Sequence, residues 1–313
     1  MLTPRENLNL LGHQEAKETF LKAFHSERFP HAWLVTGPFG IGKATFAFHM
    51  TRYLLSGRLD GNTQFTGLEP FHRRMVAQSH GDLRVLGDEE SREIGVESIR
   101  ELNGFLNQTS AEGGWRVIIV DGAASLNRNA ANALLKRLEE PPLKTVFFLT
   151  TSLPGCLLPT IRSRCQFISL LPLEEEQMRE VLCSQGCEIP DFLSIAQGSP
   201  GRLMRLMEEK GAEIYETLQR ILKGESALSF IRTYGGEETS YALIEDLLRN
   251  FLHNHLLAKA KGQSSYFENV SLDQALFVYE KIEELLDQCR FAQLDRRATL
   301  TSVFARLQNR NSE

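Results

Sequence analysis

Three glycines and a lysine stand close together in the run Gly37-Pro38-Phe39-Gly40-Ile41-Gly42-Lys43-Ala44. Closely spaced glycines let backbone N–H groups turn inward around an anion. A helix starting at the lysine adds positive potential, and the lysine supplies a point charge. This is phosphate-binding chemistry. The run matches G-x-x-x-x-G-K-[ST] at Gly37, Gly42 and Lys43. It departs from the pattern at Ala44, which has no hydroxyl for Mg²⁺. Thr45 stands one residue too late to take that place without a change of register.

A second candidate is Asp121, at the end of the apolar run VIIVD. A carboxylate there could support a metal through water, or could be a buried helix-capping aspartate. Gly122 follows, where a water-polarising glutamate would be needed. Phosphoryl transfer rests on positioning and electrostatics, so losing both groups costs orders of magnitude in rate. The expectation is weak ATP or ADP binding at most, with no cofactor required.

These residues need a frame. Ala32–Thr36 (AWLVT) is a short apolar strand ahead of the glycines, and helical spacing runs from Lys43 to Leu55. Residues 56–67 are rich in turn formers and read as a loop. Further strands are expected at Asp82–Leu86, Trp115–Val120, Val146–Thr150 and Ile168–Leu170, and helices at Val96–Leu106 and Asn127–Glu140. Asn127 is suited to cap its helix, and Pro141-Pro142 ends it. This alternation implies an α/β fold with a parallel sheet. Beyond Pro172 the strand signal fades. Short helices are expected at Glu174–Gln185, Asp191–Ala196 and Pro200–Lys210. Longer ones are expected at Ala212–Leu222, Ser226–Tyr234, Ser240–Ala260, Leu272–Gln288 and Asp295–Leu307.

Composition narrows the class. The 313 residues are 42% apolar and 24% charged, in the ordinary globular range. The longest uncharged stretch, Thr145 to Ile161, holds Pro154, Gly155 and Pro159, so no spanning helix is expected. The charged N-terminus lacks a signal-peptide core. Five scattered cysteines suit a reducing cytoplasm. Net charge is −5, split as +2 over residues 1–171 and −7 over residues 172–313. Neither part is the basic block of a protein that grips DNA alone.

The segment VIIVDGAASLNRNAANALLKRLEEPP, followed by FFLTTSLPGCLLPTIRSRCQF, resembles bacterial clamp-loader ATPase subunits of the AAA+ class. LLGHQEAKETFLKAFHSERFPHAWLVTGPFGIGK resembles the same family. The resemblance is dense over residues 8–55 and 78–171, weaker over 172–210, and architectural beyond. It implies an AAA+ P-loop (RecA-like) domain over 1–171, a small three-helix lid over 172–212, and a helical collar over 213–313. It also implies a role: helping load the sliding clamp onto primed DNA in a complex with gamma/tau and delta subunits, as part of a replicative DNA polymerase holoenzyme.

Motifs carry over one at a time. Ser163-Arg164-Cys165 matches the family's SRC motif, which implies that Arg164 reaches the ATP of a neighbouring subunit. A surface or carboxylate-paired arginine is the plainer alternative, and Arg162 is the nearest competitor. Thr150 and Thr151 stand where the family has its sensor 1 residue, with a structural threonine equally open. The lid segment Gly198-Ser199-Pro200-Gly201-Arg202 puts Gly201 at the sensor 2 arginine position. Arg202 is rotated by about 100° on a helix, so that role does not transfer. Many relatives carry four zinc-binding cysteines after the phosphate-loop helix. Here residues 50–100 contain none, and His72 and His80 do not make a four-ligand site, so no zinc is expected. Cys165 is expected as a small buried residue. Cys183 and Cys187, at i and i+4, are expected in the lid core. An intact SRC motif beside a damaged phosphate site implies a non-catalytic subunit that donates Arg164 in trans. The alternative is a catalytically active ATPase of the gamma/tau kind.

Overall fold

The computed structural model describes residues 2–56, 69–88, 93–189, 193–208, 211–292 and 294–308. Most of the loop expected over 56–67 lies outside the described residues. So do the first two positions of the helix expected at Asp191–Ala196 and the last two of that expected at Pro200–Lys210. The chain forms two compact units, Met1–Arg202 and Leu203–Glu313.

The first unit is built on five parallel strands, β1 (Ala32–Thr36), β2 (Leu83–Leu86), β3 (Arg116–Val120), β4 (Thr145–Thr151) and β5 (Gln166–Ser169). Their order is β2-β3-β4-β1-β5. Every residue of β1, β3 and β4 is buried. This is why these strands read as continuous apolar runs rather than alternating ones. The helices of this unit are α1 (Gln14–Phe24), α2 (Lys43–Leu55), α3 (Glu69–Val76), α4 (Val96–Leu106), α5 (Arg128–Glu139), α6 (Pro159–Arg162), α7 (Glu175–Ser184) and the start of α8 (Pro200–Glu208).

Two cores hold the sheet. On one face Leu34, Ile118, Val120 and Phe147 pack with Ile99 and Leu102 of α4 and with Leu134 and Leu138 of α5. On the other, Phe20 of α1 lies 5.0 Å from Trp33 and 5.6 Å from Phe148, ring centre to ring centre. Phe29 and Phe24 extend this cluster to Trp115. Asn127 caps α5 as its residue type predicts, its Oδ1 accepting from Ala130 N at 2.8 Å.

The second unit is helical: the remainder of α8, then α9 (Gly211–Leu222), α10 (Leu228–Tyr234), α11 (Glu238–Ala260), α12 (Leu272–Ala292) and α13 (Arg296–Gln308). Arg249 of α11 joins that helix to α12 through Asp287 at 2.7 Å and Glu283, and bonds Glu245 on its own helix at 3.0 Å. Among the described residues, no helix is long and apolar enough to cross a membrane.

Candidate functional site

Parallel strands place all their carboxyl ends at one edge of the sheet, where open α/β folds bind ligands. Gly37 follows the end of β1, so the phosphate loop lies on that edge. Gly42 is the residue before α2 and has φ +105, a conformation that favours glycine. Beside β1 lies β4, with Thr36 opposite Thr151 and Val35 opposite Thr150. Beyond β4 is β3, whose end delivers Asp121. The sheet thus gathers Gly37, Gly40, Gly42, Lys43, Ala44, Thr45, Asp121 and Thr150 on one edge.

Lys43, Asp121 and Thr150 are each held by groups of the protein itself. Lys43 is buried, and its ammonium donates to Gly37 O at 3.1 Å, Pro38 O at 2.8 Å and Ser152 Oγ at 2.9 Å. An ammonium has three donors, and each finds an oxygen of the protein. Asp121 accepts a hydrogen bond from Thr150 Oγ1 at 2.5 Å, and the same hydroxyl accepts from Gly122 N at 3.0 Å. Ala44 is buried and Thr45 half-buried on α2.

The loop is also covered. Gly201 N, at the start of α8, donates to Gly40 O at 2.8 Å. A Cβ on Gly40 would stand 2.5 Å from Arg202 N, and one on Gly201 would stand 2.8 Å from Gly40 Cα. Two glycines facing each other allow this backbone-on-backbone approach. Arg202 is buried and donates to Ala196 O at 3.4 Å. On the other side, His13 Nε2 bonds Ile41 O at 3.0 Å. Burial holds the His13 imidazole below its ordinary pKa, against the opposing pull of that bond. These residues do not fit a bound Mg-nucleotide as they stand: Ala44 offers no metal ligand, Lys43 is engaged within the loop, and backbone covers Gly40.

Ser152, His13 and the Gly40–Gly201 contact escaped the sequence reading. The glycine at the sensor 2 position was visible, but not what it touches.

The SRC turn sits elsewhere. Ser163, Arg164 and Cys165 link α6 to the first residue of β5, at the amino edge of the sheet. The four residues of β5 separate this turn from the phosphate-loop edge by about 10 Å or more. Leu157 and Ile161 join the same core as Leu134 and Leu138, with Cys165 packed against it. Burial pushes the Cys165 thiol up to about 12, in keeping with its packing against this core. Arg164 Nη2 meets Glu139 Oε1 at 2.5 Å, and Nη1 donates to Thr160 O at 3.1 Å. Ser163 Oγ donates to the same carbonyl at 3.0 Å. Arg162 is half-buried. The carboxylate-paired arginine and the SRC arginine are therefore one residue.

Two expectations about cysteines need correction. Cys183 is exposed on α7, which buries Met178 and Leu182 instead. Next to Leu182, Cys183 is turned about 100° away from the core. Cys187 lies beyond the end of α7, in the turn after Gly186, so the i, i+4 relation of a continuous helix is lost. His80 is buried against Phe71, and its Nδ1 accepts from Asp82 N at 3.1 Å.

The family described as DNA polymerase III, delta subunit, matches residues 12–174, more than half of the chain. The phosphate loop, Asp121, Thr150 and the SRC turn all lie within that span. The DNA polymerase III subunit delta' of Pseudomonas aeruginosa is 37% identical over 209 residues, covering 64% of this chain and 63% of that protein. The subunit delta' of Escherichia coli is 36% identical over 211 residues, covering 66% of this chain and 63% of that protein. The match thus spans less than two thirds of either relative's length. The DNA polymerase III subunit gamma/tau of Mycobacterium tuberculosis is 29% identical over 215 residues, covering 66% of this chain and 37% of that protein. A crystal structure of a DNA polymerase III gamma subunit-related protein from Thermotoga maritima is similar with a TM-score of 0.42 at 22% identity, covering 94% of this chain and 99% of that one. The resemblance drawn from the motifs is borne out: the chain belongs to the DNA polymerase III delta subunit family.

Proposed function

We propose that this chain is a non-hydrolysing, stator-type subunit of a cytoplasmic DNA polymerase III clamp loader, and that Arg164 acts in trans at the ATP site of a neighbouring subunit. Its partners on this reading are gamma/tau and delta subunits, the sliding clamp, and primed DNA through the complex. The relatives' names support membership of the polymerase. One observation carries the finer reading. Arg164 and the chain's own phosphate loop stand at opposite edges of the same sheet, so the guanidinium cannot serve its own loop. A planar, permanently charged guanidinium presented on a braced surface turn suits stabilisation of a transferring phosphoryl group.

The test uses the reconstituted loader. Arg164→Ala should leave assembly intact and lower the ATPase measured with clamp and primed DNA by at least about 10³-fold at the site it serves. Loaders that hydrolyse ATP and load clamps at the wild-type rate with Arg164→Ala would refute the trans role. Turnover by the isolated chain with Mg-ATP, abolished by Lys43→Ala, would favour the gamma/tau-like ATPase instead.

A further inference from the structure

Glu139 occupies an unfavourable place for an acid. It is the last residue of α5, where the unpaired carbonyls of a helix end favour cations. Its carboxylate is nevertheless held by a cation, Arg164, at 2.5 Å. The two residues are brought together by packing: Leu138 of α5 and Ile161 of α6 are buried in one core, so the turn bearing Arg164 cannot drift from the end of α5. Thr160 O fixes the other terminal nitrogen of the guanidinium. Arg164 is therefore paired within its own chain before any neighbour is present. The pair remains accessible, with side-chain exposures of 35% for Arg164 and 47% for Glu139.

We infer that Glu139 is a positioning residue that holds Arg164 in cis and restrains it from a neighbour's nucleotide. This rests on the trans role proposed above. A triphosphate and the carboxylate compete for the same guanidinium donors. Carrying the pair intact toward the triphosphate would also bring a carboxylate against its negative charge. The finger must therefore leave Glu139 to act, and the ion pair sets a threshold that complete assembly with clamp and DNA overcomes.

The experiment replaces Glu139 in the reconstituted loader with the isosteric, uncharged glutamine. Glu139→Gln should raise the ATPase measured without clamp or DNA by about two- to fivefold, the range expected for an exposed ion pair, and lower the apparent KM for ATP. Combined with Arg164→Ala it should add nothing. In the isolated chain, the Arg164 Nε–H should become more mobile by NMR in Glu139→Gln. An unchanged or lower unstimulated ATPase, in a loader where Arg164→Ala alone is impaired, overturns the restraint and leaves the trans role standing. An Arg164→Ala loader with wild-type activity overturns the trans role itself. An Arg164 guanidinium as ordered in Glu139→Gln as in the wild type also overturns the restraint.

Discussion

Replacing Gly201 by alanine tests whether the start of α8 is seated on the phosphate loop. The new Cβ would stand 2.8 Å from Gly40 Cα and 3.0 Å from Gly40 O. Both atoms are backbone, so the two segments must separate by several tenths of an ångström. Overpacking of this kind costs about 1–3 kcal/mol. The Gly201 N–Gly40 O hydrogen bond, 2.8 Å long, stretches with it and is worth about 1 kcal/mol net. Alanine in a helix returns up to about 1 kcal/mol. The balance is a loss of about 1–3 kcal/mol. With a urea dependence of about 2 kcal/mol per molar for a unit of this size, the unfolding midpoint should fall by about 0.5–1.5 M. Circular dichroism at 222 nm during a urea titration reads this directly. Gly40→Ala should lose more, because Gly40 also has φ +70 and its Cβ would stand 2.5 Å from Arg202 N. Gly155→Ala, with open space around the new Cβ, serves as the control and should not move. A Gly201→Ala midpoint within about 0.2 M of wild type, equivalent to only about 0.4 kcal/mol, would refute the seating of the start of α8 on the loop.

Two further perturbations probe other parts of the molecule. Burial beside Arg52 and Lys17 lowers the His49 pKa from 6.5 to about 3. Below pH 6.5 the unfolded chain therefore binds a proton that the folded chain refuses, and stability falls with pH by up to about 1.4 kcal/mol per unit until the folded pKa is reached. His49→Gln should flatten that slope between pH 6.5 and 4 in denaturant titrations; an unchanged slope would show that His49 does not set it. Arg249→Met should destabilise the helical unit by about 3–5 kcal/mol at pH 7, because it leaves the grouped carboxylates of Glu245, Glu283 and Asp287 uncompensated. Burial already raises the Glu283 carboxyl, so the deficit should narrow as the pH is lowered and these groups take up protons. A deficit independent of pH would argue against a charge origin.

Local pattern sufficed for a continuous apolar run, for apolar residues at helical spacing and for an explicit cap. Ala32–Thr36 and Val96–Leu106 form a strand and a helix with the bounds their sequence suggests, and Asn127 caps α5. It failed where an element buries little. In α1 Ala16 and Phe20 are the buried residues, and no helix was expected there. The phosphate loop and the SRC turn were legible as motifs because their chemistry is local. Their states were not. Lys43 meets Ser152, Gly40 meets Gly201, and Arg164 meets Glu139, each across many residues of chain. Such pairings depend on how the strands order themselves in the sheet.

The aromatic cluster on the α1 face of the sheet has a spectroscopic consequence. The chain has two tryptophans, Trp33 and Trp115, and both contact Phe29, with Trp33 fully buried. Both belong to the unit Met1–Arg202. Intrinsic tryptophan fluorescence therefore reports the α/β unit alone, while the helical unit contributes only tyrosine emission. Selective excitation at 295 nm alongside far-ultraviolet dichroism would separate the melting of the two units without any label.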